Sequence, residues 1–274
     1  MEKLDRLGWA TGIAFDAYGL SIGIRVNESS MPEDIVEKLP LEWTRQESPI
    51  VRYLLSLRLG GPGTRPGVRN FYLLYAGASQ VARTLDREVA LQNLENALVT
   101  YVSAFSRKRI FVHAGVVAWQ GKAVVLPGRS HAGKSTLVAE LLKAGATYFS
   151  DEYALLDECG NVHPYARRLA LRKPDGPERV SAATLGAATG NGPLPVAMVV
   201  RTEYRPGSEW RPQRLTPGKA MMELASHMLP EAVHSPEGQT ALAQLVQRSP
   251  AYKGPRGEAE VAAREIIRTL ENSL

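Results

Sequence analysis

The chain has 274 residues, 44% hydrophobic and 22% charged, with a formal net charge of +5. Those values exclude a wholly disordered or fibrous chain, and no apolar run reaches the roughly 18 residues that span a bilayer. The one cysteine, Cys159, forbids an intramolecular disulfide and speaks against a cysteine-built metal site, which points to a reducing, cytoplasmic setting.

The N-terminal stretch MEKLDRLGWATG has no long apolar core behind its charges and is not read as a secretory signal. Leu20, Ile22, Ile24 and Val26 alternate with Ser21, Gly23 and Arg25, the period of a half-buried strand. Met31 to Leu39 reads as a short helix, with Glu33 and Asp34 near its positive end and Pro40 just past it. Ile50 to Leu59 and Val68 to Ala76 read as strands around a Gly60-Gly61-Pro62-Gly63 turn. Residues 1–85 carry no catalytic motif and are expected to form a small α+β accessory module.

From Asp86 to Arg107, Leu91, Leu94, Leu98, Tyr101 and Phe105 recur at three- and four-residue steps, an apolar helical stripe best read as core packing. The cations of Arg107-Lys108-Arg109 suit the negative end of that helix without any ligand. Beyond it come strands at Ile110 to Trp119 and Lys122 to Leu126, a helix at Ser135 to Lys143 with Gly145 past its end, and short strands at Thr147 to Ser150 and Ala154 to Asp157. Leu194 to Val200 reads as a buried strand. Thr216-Pro217 starts one helix, and two more span about Pro236 to Arg248 and Glu258 to Leu270. Strands mixed with helices over residues 86–274 predict an α/β core. The Pro/Gly-rich stretches 60–67 and 174–195 read as loops.

Residues 128–136 read Gly128-Arg129-Ser130-His131-Ala132-Gly133-Lys134-Ser135-Thr136, which is G-x-x-x-x-G-K-[ST], between a strand and a helix. In that setting the backbone N–H groups form an anion nest, and the following helix adds its positive end. Gly128 and Gly133 permit the tight turn. Lys134 is expected on the β- and γ-phosphates, Ser135 on Mg²⁺ and Thr136 on the α-phosphate. Asp151 and Glu152 close the next short strand, and two adjacent carboxylates there ask for a cation such as Mg²⁺. Asp151 can equally serve as a general base, and an ordinary solvated acidic turn is the plain alternative. His113 lies in an apolar strand, where a satisfied core histidine is the common case. His131 needs no role of its own, and His163, His227 and His234 show no metal-ligand spacing.

The stretch from Phe111 to Arg172 resembles the catalytic domain of HPr kinase/phosphorylase. The shared order is Val112-His113-Ala114-Gly115, a second strand at Gly121 to Leu126, the P-loop, Ala144-Gly145-Ala146, and Ser150-Asp151-Glu152. The chain is also similar to a group of related bacterial proteins through His163 to Arg172 and Arg256-Gly257-Glu258-Ala259. The resemblance implies a P-loop kinase core of the HPr kinase C-terminal type, with a mixed sheet and flanking helices. It implies catalytic roles for Lys134, Asp151 and His113, nucleotide binding by residues 128–136, and metal binding by Ser135, Asp151 and Glu152. Glu152 stands where that family has a second Asp, and Thr136 where it commonly has an acidic residue. The family's downstream glycine-rich signature is absent, which argues against HPr itself as substrate.

The implied function is an ATP- and Mg²⁺-dependent kinase acting on a hydroxyl, either a protein or peptide serine or a small metabolite. Arg167, Arg168 and Arg256 are candidates for the transferred phosphate, since arginine offers a bidentate fork. A nucleotide-binding regulatory or scaffold protein is the alternative. Nucleic acid is not expected as a partner, because the basic residues form no run or stripe. No membrane partner is expected either, and the hexameric habit of the resembled family leaves a homo-oligomer open.

Overall fold

The computed structural model describes residues 2–61, 69–129, 132–173 and 176–272. The chain divides into two compact units, Met1–Arg107 and Lys108–Leu274.

The first unit runs α1 (Glu2–Asp5), β1 (Thr11–Ala17), β2 (Leu20–Val26), α2 (Glu33–Val36), β3 (Thr44–Arg45), β4 (Tyr53–Arg58), β5 (Tyr72–Ala76), β6 (Ser79–Thr84) and α3 (Arg87–Phe105). Its strands form one mixed sheet in the order β3-β1-β2-β4-β5-β6. The alternation read in β2 buries Ile22, Ile24 and Val26 completely or nearly so. The expected boundary near residue 85 moves to 107, because α3 lies on β5 and β6 of this sheet. Leu91, Leu94 and Leu98 of the stripe are buried there, while Tyr101 and Phe105 pack on Tyr53, at centroid distances of 5.0 and 5.2 Å. The Asp86 carboxylate caps α3 by accepting from Val89 N. The helix ends at Phe105, so Arg107-Lys108-Arg109 follows its last turn rather than completing it. The predicted helix at Met31 to Leu39 shrinks to α2. Pro62 and Gly63 of the predicted turn, and Val68, lie outside the described residues.

The second unit runs β7 (Ile110–Trp119), β8 (Lys122–Pro127), α4 (Lys134–Lys143), β9 (Thr147–Ser150), β10 (Tyr153–Leu156), β11 (Asn161–His163), β12 (Leu169–Lys173) and β13 (Gly176–Val180). It continues with β14 (Leu194–Tyr204), β15 (Gln213–Leu215), α5 (Pro217–Ala225), α6 (Pro230–Val233), α7 (Pro236–Arg248), β16 (Ala251–Arg256) and α8 (Ala259–Glu271). The main sheet has the order β11-β10-β7-β8-β14-β16-β15, with β9 on β7 and a further pairing of β11 with β14. Strands β7, β8, β14, β11 and β10 therefore close a ring. The pair β8–β14 and the pair β14–β16 are parallel, and β7 runs antiparallel to β8. The unit is thus mixed α/β. The stretch read as a 174–195 loop contains β13 (Gly176–Val180), which pairs with the preceding β12 as a separate hairpin.

Both faces of this sheet are covered, which explains why β7 and β8 read as nearly continuous apolar runs. Val112, Ala114, Val116, Ala123 and Val125 meet Leu224 of α5 and Leu242 and Leu245 of α7. Val117, Val124 and Leu126 meet Leu137 and Leu141 of α4 and Ile266 and Leu270 of α8. Each such buried Leu or Ile contributes about 1.5–3 kcal/mol of transfer free energy. No helix among the described residues is long and apolar enough to cross a membrane.

Candidate functional site

The parallel strands β8, β14 and β16 end at one edge of the sheet, and the 128–136 loop leaves β8 there. Gly133, with φ 76°, is the N-cap of α4 and takes the left-handed conformation that favours glycine. The helix therefore begins at Lys134 with its unpaired N–H groups and positive dipole end turned to that edge. Ser130 and His131 lie outside the described residues. Arg129 and Thr136 are exposed, and Gly128 is buried.

Lys134 Nζ donates to Gly128 O at 2.7 Å and to Arg129 O at 3.0 Å, and lies 3.0 Å from His113 Nε2. Burial, reinforced by the Arg201 charge, lowers the Lys134 ammonium to about 8, against the pull of Asp151 and Glu152. His113 sits on β7 opposite Tyr153, with its main-chain oxygen accepting from Gly128 N. Burial pushes its imidazole down to about 4, helped by the charges of Lys134 and His227. At neutral pH the proton of this pair is therefore on Lys134, and His113 Nε2 accepts from it.

Asp151 is 8% exposed and follows β9. Its Oδ2 accepts from Ser135 Oγ at 3.0 Å and from Ala170 N at 3.2 Å, and its Oδ1 accepts from Tyr148 OH at 3.0 Å. Burial and the Asp151 charge raise the Tyr148 phenol, which stays a donor. Glu152 is next in the turn, its main-chain oxygen held by Ala114 N and its N–H by Ser150 Oγ. Its charge acts on Lys134, Tyr148 and Tyr153, whose phenol is pushed up to about 12, chiefly by burial. Among the described residues no three His, Cys, Asp or Glu side chains converge as a metal cage. The oxygen pair of Ser135 and Asp151 suits Mg²⁺, which takes one or two carboxylates and fills its other positions with water and phosphate.

The arginines named from sequence separate. Arg168 is exposed, while the Arg167 guanidinium lies 5.3 Å from the centre of the Tyr165 ring. Arg256 ends β16 and is 2% exposed. Its Nη2 donates to Gly133 O and its Nη1 to Gly257 O, both at 2.9 Å, so it braces the N-cap of α4. Burial lowers its pKa.

Sequence reasoning passed over His227 and Arg201. His227, at the end of α5, is 8% exposed, and its main-chain oxygen accepts from His113 N at 2.7 Å. Its Nδ1 is 2.7 Å from Glu223 O, which fixes the neutral tautomer with the proton on Nδ1. Its Nε2 is buried and has no hydrogen-bond partner among the described residues. Burial lowers its pKa, and the Arg201 and Lys134 charges add to that. Arg201 of β14 pairs with Glu223 at 3.1 Å, and Lys253 of β16 pairs with the same carboxylate at 2.7 Å. No local motif marks either residue, since each reaches the loop only through sheet pairing and helix packing. His163, by contrast, is taken up locally by Asp157 at 3.1 Å, and His234 is exposed.

No family model matches the chain, and no curated protein matches it. Among solved structures, it is similar to the HPr(Ser) kinase/phosphatase from Coxiella burnetii at 14% identity and a TM-score of 0.34, over 59% of this chain and 96% of that one. The likeness is a distant one.

Proposed function

We propose that the chain is an ATP-dependent phosphotransferase that moves the γ-phosphoryl group to a hydroxyl, with residues 128–136 as its phosphate-binding loop. The observation that carries this reading is the 3.0 Å contact of Ser135 Oγ with Asp151 Oδ2 at the N-terminus of α4, beside Lys134. A hydroxyl and a carboxylate next to a helix N-terminus and an ammonium can serve a metal and a phosphate chain at once. Mg²⁺ held there would neutralise charge on the β- and γ-phosphates.

The residues then divide the work. Lys134 exchanges the carbonyls of Gly128 and Arg129 for phosphate oxygens. That move frees His113 Nε2, which is neutral and ready to accept a hydrogen bond. Asp151 spends three of its about four lone-pair sites on Ser135, Ala170 and Tyr148; with Mg²⁺ bound, the site facing Ser135 would serve the metal, which leaves the fourth for the acceptor hydroxyl. As the acceptor oxygen bonds to γ-phosphorus and the bond to the β-phosphate oxygen breaks, the hydroxyl proton passes to Asp151. The acceptor is a protein or peptide serine or a small metabolite, and the setting is cytoplasmic.

A nucleotide sensor without transfer is the second reading. It is favoured by the engagement of both Asp151 oxygens. Incubation with γ-labelled ATP, Mg²⁺ and pooled protein, peptide and metabolite acceptors separates the two. Transfer is expected in the wild type and absent in Lys134→Ala. Asp151→Asn is expected to keep ATP binding and lose transfer by about 10²- to 10⁴-fold. An Asp151→Asn protein with full transfer rate sinks the assignment.

A further inference from the structure

A cavity of about 520 Å³ opens where the chain leaves β14 and β16. Its walls are Glu209, Trp210 and Arg211 after β14, and Glu258, Val261 and Glu265 along the first half of α8. Gly257 joins the two walls, because a Cβ there would lie 2.4 Å from Ser208 O. We propose that this cavity seats the base of the nucleotide whose phosphates lie on the 128–136 loop, and that it selects an amino-bearing nucleobase.

Position is the first argument. Strands β8, β14 and β16 are mutually parallel, and the carboxyl ends of parallel strands in α/β sheets are a common place for ligands. The loop follows β8, and the cavity follows β14 and β16, the next strands in the sheet. Helices α4 and α8 begin at that edge and pack on each other. Arg256 ties the two places together, with Nη2 on Gly133 O and the adjoining Gly257 in the cavity wall. A ligand anchored by its phosphates at the N-terminus of α4 thus finds the cavity beside it.

Chemistry is the second argument. Trp210 offers a flat aromatic surface suited to stacking a base. Its indole N–H is buried and has no partner among the described residues. Arg211 is paired with Glu209 at 2.6 Å and Arg268 with Glu265 at 3.3 Å, so Glu258, which accepts from Tyr204 OH at 3.0 Å, is the wall carboxylate left without a cation partner of its own among the described residues. The second oxygen of Glu258 and the carboxylates around it offer acceptors to an exocyclic amino group, and the described wall residues offer no free cation to a phosphate. The ligand is therefore oriented with its anionic end on Lys134 and its base on Trp210.

The inference rests on the phosphate-loop reading above, and the test separates the two. Binding of ATP and of inorganic tripolyphosphate, each with Mg²⁺, is measured on the full chain. The comparison is between the wild type and Val261→Trp, which fills the cavity from a half-exposed position. The expected result is ATP binding weakened by about tenfold or more, with tripolyphosphate changed less than about twofold. Trp210→Leu, which keeps apolar bulk but removes the stacking surface, should give the same split and covers the case that Val261→Trp does not fold. ATP affinity unchanged in a folded variant overturns the base site and leaves the loop reading standing. So does an equal loss for both ligands. A wild type that binds neither ligand overturns both.

Discussion

Lys134 carries its charge in a setting that penalises it, and the penalty is readable as a pH effect. Its ammonium falls from 10.5 to about 8 through burial. A bound anion restores the higher value, so ligand binding above about pH 8 takes up a proton. Affinity for MgATP is expected to be level between about pH 7 and pH 8 and then to fall, by up to about tenfold per pH unit, as Lys134 deprotonates in the free chain. Calorimetry in buffers of different ionisation enthalpy checks this through the proton count, and a level affinity up to about pH 10 would contradict it. His113 works in the other direction of pH. With its pKa lowered from 6.5 to about 4, the unfolded chain takes up that proton first, so folding stability declines as pH falls through this window. Lys134, Ser135 and Asp151 could be singled out in the sequence, because the proposed phosphate loop needs fixed residue types at fixed spacing, and the fold brings the three side chains together. His227 and Arg201 could not be, because their place beside Lys134 depends on partners far along the chain.

At the scale of elements, strong periodicity and clear caps carried the reading. Helices α3, α7 and α8 and strands β7, β8 and β9 lie within a residue or two of where their patterns put them. Strand β16 was hidden by its own composition, since Gly254 and Pro255 are poor strand residues. It forms because β14 and β15 pair with it on either side. Hairpin β12–β13 was hidden in the same way by Gly176 and Pro177. The predicted cap of α5 is present, with Thr216 accepting from Lys219 N. Ser235 is the tighter cap, accepting from Gly238 N at 2.9 Å at the start of α7 while donating to Ala232 O at 2.8 Å. Ser235→Ala is expected to cost about 0.5–2 kcal/mol. It should appear as a lower urea midpoint with an unchanged slope. A midpoint equal to the wild type would show that the cap adds nothing to α7.

At the scale of the molecule, the +5 charge is a scattered excess rather than a stripe, and its exposed members make a convenient probe. Arg107 and Lys108 are exposed where the two units part, and Arg129 is exposed in the loop after β8. Limited trypsin digestion should therefore cut at both places in the free protein. MgATP is expected to slow the cut after Arg129 severalfold and leave the cut at Arg107–Lys108 unchanged, which mass spectrometry of the fragments can follow. Equal protection at both places would speak against local binding at the loop. The sequence reads with a boundary near residue 85, whereas the compact units divide after Arg107. The apolar stripe of α3 announces that the helix is buried, and it is silent about which sheet the helix is buried on.

The ring of β7, β8, β14, β11 and β10 has a mechanical consequence. A strand in an open sheet can shear against one neighbour. A strand in a closed circuit can slide only if every register in the circuit slips together. The loop carrying Lys134 and the turn carrying Asp151 are both spliced into that circuit, the first after β8 and the second before β10. Their separation is therefore held stiff whether or not a ligand is present. The α5–α6 corner is pinned to the same circuit, since the His227 main-chain oxygen accepts from His113 N of β7 at 2.7 Å, so closure around a bound molecule would fall to parts outside the circuit such as the 205–212 segment after β14.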